Sequence, residues 1–84
     1  MNKLKYFTAS WCGPCKFFKP VINELISEGA DIEILDIDEN QTLAREYQIM
    51  GVPTLVYERN GEVYARNTGL TPKSDIKEML DAKF

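Results

Sequence analysis

The sequence contains no histidine, and only two of its 84 residues are cysteines. Zinc usually needs four ligands, most often cysteine and histidine, so these two residue types cannot complete a zinc site in one copy of this chain. An iron–sulfur cluster held by four cysteines is excluded for one copy in the same way. A metal site would therefore require carboxylates or a second molecule.

Long apolar segments and basic clusters are also missing. Nowhere do 18 apolar residues follow one another, and the N-terminal residues do not resemble a targeting signal. No run of lysine or arginine exceeds one residue, and the net charge is −3. This acidic balance argues against nucleic acids and anionic membranes as partners. We expect a soluble, cytoplasmic monomer in which residues 1–84 form one domain.

Four segments are rich in strand-forming residues and are bounded by turn-forming residues. They cover residues 4–9, 32–37, 54–58 and 63–66. Asn60-Gly61 lies between the last two segments and predicts a two-residue β-hairpin, so these two strands should be antiparallel. The second segment is mostly apolar, which is typical of a buried parallel strand.

Three other segments have the apolar spacing of helices. The first begins at the cysteines and ends before Gly29, with Phe17 and Phe18 expected to take part in core or helix packing rather than in a ligand site. The second covers residues 41–48 after the turn Asp38-Glu39-Asn40, which is expected to supply its N-cap, and Thr71 is expected to cap the third. The order β-α-β-α-β-β-α predicts an α/β fold, a four-stranded mixed sheet flanked by helices.

Both cysteines lie in the segment Trp11-Cys12-Gly13-Pro14-Cys15-Lys16, between the first strand and the first helix. A structural disulfide, half of a metal site and a redox pair are the alternatives. A bridge closing only four residues stabilises little, and a cytosolic location disfavours it. A redox pair fits the position best, because thiolate is the nucleophile in disulfide exchange and a helix N-terminus lowers the pKa of a thiol.

The residues assign different tasks to the two thiols. Cys12, at the start of the helix, would attack a disulfide, and Cys15, one turn further along, would resolve the resulting mixed disulfide. Between them, Gly13 is expected to allow a tight turn, and Pro14 fixes φ where a missing N–H donor does no harm.

These residues resemble the thioredoxin family. The match covers nearly the whole chain from about Leu4, and it includes the complete segment from Trp11 to Lys16. The other matching positions are Pro20 in the first helix, the loop Gly51-Val52-Pro53-Thr54, the hairpin at Asn60-Gly61, and Gly69 before the last helix.

The resemblance implies a dithiol–disulfide oxidoreductase that reduces protein disulfides. It implies that Pro53 follows a cis peptide bond and that a set of residues borders the groove for a substrate peptide. That set is Trp11, Gly13, Pro14, Val52, Pro53 and Gly69. It also implies that the protein binds no cofactor or metal itself. Electrons would come from NADPH through thioredoxin reductase, and the other partners would be proteins with disulfides.

Two further functions stay open for the same fold. The short chain favours a glutaredoxin-like protein reduced by glutathione, although glutaredoxins usually carry Cys-Pro-Tyr-Cys rather than the Cys-Gly-Pro-Cys found here. A binding module without enzymatic activity is the third hypothesis, and the intact pair of cysteines argues against it.

The sequence also departs from the family. A strand and a helix that usually precede the active-site strand are missing, Tyr6 replaces a buried aspartate, and Ile34 replaces the lysine that pairs with it. That aspartate is thought to help deprotonate the resolving cysteine. Asp36 and Asp38 share strand parity with Ile34, so one of them is a candidate for a proton relay; the simpler interpretation is that both are solvated turn residues that cap the second helix.

Overall fold

The computed structural model describes residues 2–82. Within that range the predicted order of strands and helices is confirmed, with ends that differ by up to two residues from those expected. The elements are β1 (Asn2–Thr8), α1 (Gly13–Ser27), β2 (Ile32–Asp36), α2 (Gln41–Glu46), β3 (Thr54–Arg59), β4 (Glu62–Thr68) and α3 (Lys73–Leu80). Among these residues no helix is both long enough and apolar enough to cross a membrane.

The four strands form one mixed sheet in the order β2-β1-β3-β4. β1 and β2 are parallel and are joined through α1, whereas β3 runs antiparallel to both β1 and β4. Asn60 and Gly61 both have positive φ, at 54° and 84°, as a two-residue hairpin of this twist requires. The expected four-stranded mixed sheet and its hairpin are therefore confirmed.

Helices α1 and α3 pack over one face of the sheet. The buried residues of this larger core are Leu4, Tyr6, Leu55 and Tyr57 from the strands, Phe18, Ile22 and Leu25 from α1, and Ile76 from α3. The α1 members recur every three or four residues, so they share one side of the helix. Phe17 points to the opposite side and is 80% exposed, so its predicted place in the core was wrong.

The short helix α2 covers the other face of the sheet. Phe7, Leu35 and Val56 are buried there, and Leu43, Tyr47 and Ile49 pack against them. The outer part of this face is polar. The ammonium of Lys5 lies 2.9 Å from a carboxylate oxygen of Glu33 and 3.3 Å from one of Glu58, and the Tyr47 hydroxyl donates to Glu58. These contacts tie three strands and the end of α2 together.

Burial lowers the pKa of Lys5, but its hydrogen bond to Glu33 and the charge of Glu58 outweigh that effect and raise the pKa overall. Lys5 therefore stays charged in the folded protein. Glu58 is only 6% exposed, so its carboxylate depends on Lys5 and Tyr47 for compensation.

The expected helix caps differ from those in the structure. Thr71 does not cap α3, because its hydroxyl accepts a hydrogen bond from the Asn67 side chain at 2.6 Å; Pro72 occupies the N-cap position instead. Asn40 occupies the N-cap position of α2, but its side chain donates to the Asp36 carbonyl and does not cap the helix. Both side chains hold the preceding loop rather than the helix end.

Because Tyr57 is buried, we expect the protein to become less stable at alkaline pH. Burial raises the pKa of Tyr57 from 10.0 to about 12, so the phenol ionises in the unfolded chain before it ionises in the folded one. The free energy of unfolding should therefore be unaffected by this group below pH 10 and fall as the pH rises toward 12, by at most about 1.4 kcal/mol per pH unit. Urea unfolding at several alkaline pH values measures this.

The Tyr57→Phe variant is the matched control, because it removes the ionising hydroxyl and keeps the ring. It should show a shallower decline of stability with pH in the same range. An equally steep decline in the variant would assign the alkaline instability to other groups.

Candidate active site

Cys12 and Cys15 form a disulfide at the N-terminus of α1, with their Cα atoms 5.3 Å apart. Cys12 is the N-cap residue, with extended backbone angles of φ −84° and ψ 114°. The backbone N–H of Cys15 donates to the sulfur of Cys12 at 3.2 Å. On reduction, this N–H and the positive end of the helix dipole would favour a thiolate at Cys12.

Both sulfurs lie just beneath the surface. Cys12 and Cys15 are each 4% exposed and cluster with Ala9, with Ile37 and Val52 packed against them. Gly13 and Pro14, between the cysteines, are exposed. Gly13 does not have positive φ, and a Cβ built there would meet no atom within 4 Å. The backbone conformation and the space around this position therefore do not require glycine.

The loop before β3 approaches the disulfide. The Val52–Pro53 peptide bond is cis, as expected, and the sulfur of Cys12 lies 3.7 Å from the carbonyl oxygen of Val52. The carbonyl of Pro53 accepts a hydrogen bond from the N–H of Gly69 at 2.8 Å, and Gly69 has a φ of 102° that favours glycine. Segments distant in sequence thus meet beside Cys12.

Trp11 is 65% exposed, and its indole N–H donates to the Asp38 carboxylate at 2.9 Å. This bond joins the active-site segment to the turn that follows β2. Asp38, itself exposed, therefore helps to orient the tryptophan. Met50 and Leu70 are 95% and 60% exposed, so three large apolar side chains, those of Trp11, Met50 and Leu70, lie on the surface.

Leu70 was not identified from the sequence. It follows Gly69, but no periodic pattern or turn signal marks it as exposed. The pairing of Thr54 with Thr68 and the backbone hydrogen bond between Gly69 and Pro53 bring this segment to the loop beside the disulfide.

Asp36 lies at a different place from Asp38. Its carboxylate accepts hydrogen bonds from the backbone N–H groups of Asp38, at 2.8 Å, and Glu39, at 3.4 Å. The same residue lines a cavity to which Cys15 also belongs. Sequence reasoning treated Asp36 and Asp38 as equivalent, but their carboxylates make different contacts in the structure.

Tyr6, at the position where the family has an aspartate, is 1% exposed and donates from its hydroxyl to the hydroxyl of Thr8 at 3.3 Å. Burial raises its pKa, so this phenol is neutral at physiological pH. Tyr6 pairs with Ile34 in the register of β1 and β2, so two neutral side chains occupy neighbouring positions here. Across residues 2–82 no group of three or more potential metal ligands comes together.

A cysteine pair at a helix N-terminus beside a cis-proline loop, on a sheet of this topology, can react as a dithiol with the disulfides of other proteins and as a disulfide with their thiols. The fold and the site thus define the class of thiol–disulfide oxidoreductases.

Comparison with known proteins identifies the family. The family model named Thioredoxin matches residues 2–82. A thioredoxin of Staphylococcus epidermidis is 44% identical over 82 residues, which cover 94% of this chain and 79% of that protein. A thioredoxin of Staphylococcus aureus is 45% identical over 78 residues, which cover 89% of this chain and 75% of that protein. This chain belongs to the thioredoxin family.

A solved structure supports the same assignment. A point-mutant thioredoxin from Halobacterium salinarum superposes with a TM-score of 0.89 and 38% sequence identity, over 95% of this chain and 72% of that one. The minimal thioredoxin fold expected from the sequence is confirmed, and the protein is a thiol–disulfide oxidoreductase.

Proposed function

We propose that the protein reduces disulfides of other proteins, with Cys12 as the attacking cysteine and Cys15 as the resolving one. The observation that carries this assignment is the N-cap position of Cys12, whose sulfur accepts the N–H of Cys15. Cys15 lies inside the first turn of the helix and lacks this arrangement. The thiolate therefore forms preferentially at Cys12 in the reduced protein.

The substrate would lie as an extended peptide across the surface next to Cys12. Contacts between Cys12 and Val52, and between Pro53 and Gly69, support a groove made by these residues. Trp11, Gly13 and Pro14 are exposed beside it. A peptide in this groove would pair with the backbone of Val52 in the manner of an added strand.

We further propose that the protein works as a cytoplasmic monomer without a bound cofactor, and that NADPH-dependent thioredoxin reductase returns it to the dithiol form. The named relatives, bacterial thioredoxins, support a thioredoxin reductase as the electron donor. The dithiol itself carries the two electrons, so the reaction needs no other redox group on the chain.

The test compares two electron donors on the oxidised protein. One is NADPH with a bacterial thioredoxin reductase, and the other is glutathione with glutathione reductase and NADPH. We expect fast reduction by the first system and slow reduction by the second, followed spectroscopically as loss of NADPH. Fast reduction by glutathione alone would contradict the proposed donor and favour a glutaredoxin-like function.

A further inference from the structure

A cavity of about 440 Å³ lies beside the disulfide, between α1 and the ends of β1 and β2. Cys15 lines it from α1, together with the exposed Lys16 and Lys19. Ile34, on the edge strand β2, is 43% exposed and lines the opposite side. The cavity is therefore open to solvent and large enough to hold water next to Cys15.

The thiol of Cys15 must lose its proton to an acceptor before Cys15 can attack the mixed disulfide at Cys12. Its thiol must become a thiolate before it can displace the substrate from Cys12. The side chain is buried and packs with apolar groups such as Ala9, an environment that disfavours a charged sulfur. The backbone N–H of Cys15 points to Cys12 instead, so it does not stabilise the thiolate of Cys15 itself.

Asp36 supplies the only carboxylate among the described residues that line the cavity. The N–H groups of Asp38 and Glu39 hold one of its oxygens, which fixes the orientation of the carboxylate. The other ionisable groups of the lining are Lys16 and Lys19 from α1 and Tyr6 from β1. Apart from these three groups, Cys15 and Asp36 itself, no ionisable side chain of residues 2–82 lines this cavity.

We propose that Asp36 is the general base for Cys15 and accepts its thiol proton through water in this cavity, an inference that rests on the roles proposed above for the two cysteines. The Cys15 thiolate then attacks the sulfur of Cys12. A bond forms between Cys15 and Cys12, the bond between Cys12 and the substrate breaks, and the substrate leaves as a thiolate. The leaving thiolate takes up a proton from water, and Asp36 releases its proton to solvent through the cavity.

Asp38 does not serve this purpose. Its carboxylate accepts the indole N–H of Trp11, and it does not belong to the lining of the cavity within residues 2–82. The proton therefore leaves Cys15 into a space that neither Val52 nor Pro53 lines. A substrate covering the proposed groove would leave this path open.

The two steps can be separated with the chromogenic disulfide DTNB and the reduced protein in stopped flow. Attack by Cys12 releases the first thionitrobenzoate and depends on the DTNB concentration, whereas resolution by Cys15 releases the second and does not. Asp36→Asn should slow the second release about tenfold or more at neutral pH, since general base catalysis is lost. In this variant the rate of the second release should rise with pH until the thiol of Cys15 ionises without help from a base. The first release should change by less than about twofold.

Asparagine keeps an oxygen that can accept the N–H groups of Asp38 and Glu39, so the turn should be preserved. Asp36→Ser, which can make a similar turn, is the second variant if asparagine impairs folding. Glu39→Gln is the matched control, because it removes one charge from the same turn outside the cavity, and it should leave both releases unchanged. If only the second release slows in the Asp36 variants, the proposal holds.

Two other results overturn the inference in different ways. An unchanged second release in the Asp36 variants, or an equal slowing in Glu39→Gln, would remove Asp36 as the base while leaving the cysteine roles intact. A first release that persists in Cys12→Ser and disappears in Cys15→Ser would instead reverse the proposed roles and remove the basis of the inference.

Discussion

Replacing Cys12 by serine should lower the rate of protein disulfide reduction by about a thousandfold or more, because a hydroxyl cannot replace a thiolate as the nucleophile. Cys15→Ser should behave differently. It should react once with a substrate disulfide and then retain the substrate as a mixed disulfide, because no second thiol can displace it. Turnover of insulin in the presence of dithiothreitol measures the first effect, and non-reducing electrophoresis with mass spectrometry measures the second.

The double variant Cys12→Ser, Cys15→Ser is the control for trapping and should retain no substrate. Lys16→Ala controls for disturbance of the first turn of α1 without loss of a thiol, and it should still turn over. Trapping by Cys12→Ser rather than by Cys15→Ser would show that the attacking and resolving cysteines have been exchanged.

Glu58→Ala should be among the most destabilising substitutions of a charged residue in this protein. It would leave Lys5, whose side chain is only 14% exposed, with Glu33 as its remaining close partner and would leave the Tyr47 hydroxyl unpaired. Removing one member of a buried ion pair costs about 3 kcal/mol. A domain of this size has only about 4–12 kcal/mol in total, so urea unfolding should show a large shift of the midpoint.

Glu62→Ala on the exposed strand β4 is the matched control, with an expected cost below about 0.5 kcal/mol. The double variant Lys5→Met, Glu58→Leu separates charge from packing. It should be more stable than Glu58→Ala alone, since it also removes the charge of Lys5, which loses one of its two carboxylate partners in Glu58→Ala. Equal costs for Glu58→Ala and Glu62→Ala would contradict the importance of the network.

Local signals explain why most of the fold was predictable. Asn60-Gly61 specifies its hairpin through backbone preferences of two residues, and the spacing of Phe18, Ile22 and Leu25 specifies the buried side of α1. Phe17 lies outside this spacing and is 80% exposed, although it was expected to take part in core or helix packing. Hydrophobicity indicates that a side chain can be buried, whereas its angular position on the helix decides whether it is.

The caps were less predictable because several partners compete for one side chain. Thr71 has the residue type and position of an N-cap, but Asn67 reaches its hydroxyl across the preceding turn. Asn67 is only four residues from Thr71 in the sequence, but the direction of its side chain depends on the backbone conformation of β4 and of the loop at Gly69. Residue preference therefore identified the helix start but not the hydrogen bond made there.

The sequence by itself determined the α/β order, the cysteine pair at a helix start and the cis-proline loop, because each depends on residues close together in the chain or on a motif that resembles a known family. Only the tertiary structure decided that the side chains of Asp36 and Asp38 have different surroundings. They are two residues apart and chemically identical, but the turn after β2 directs one to the cavity beside Cys15 and the other to Trp11. The physical reason is that the surroundings of a side chain are formed by segments distant in sequence, which meet only when the chain folds.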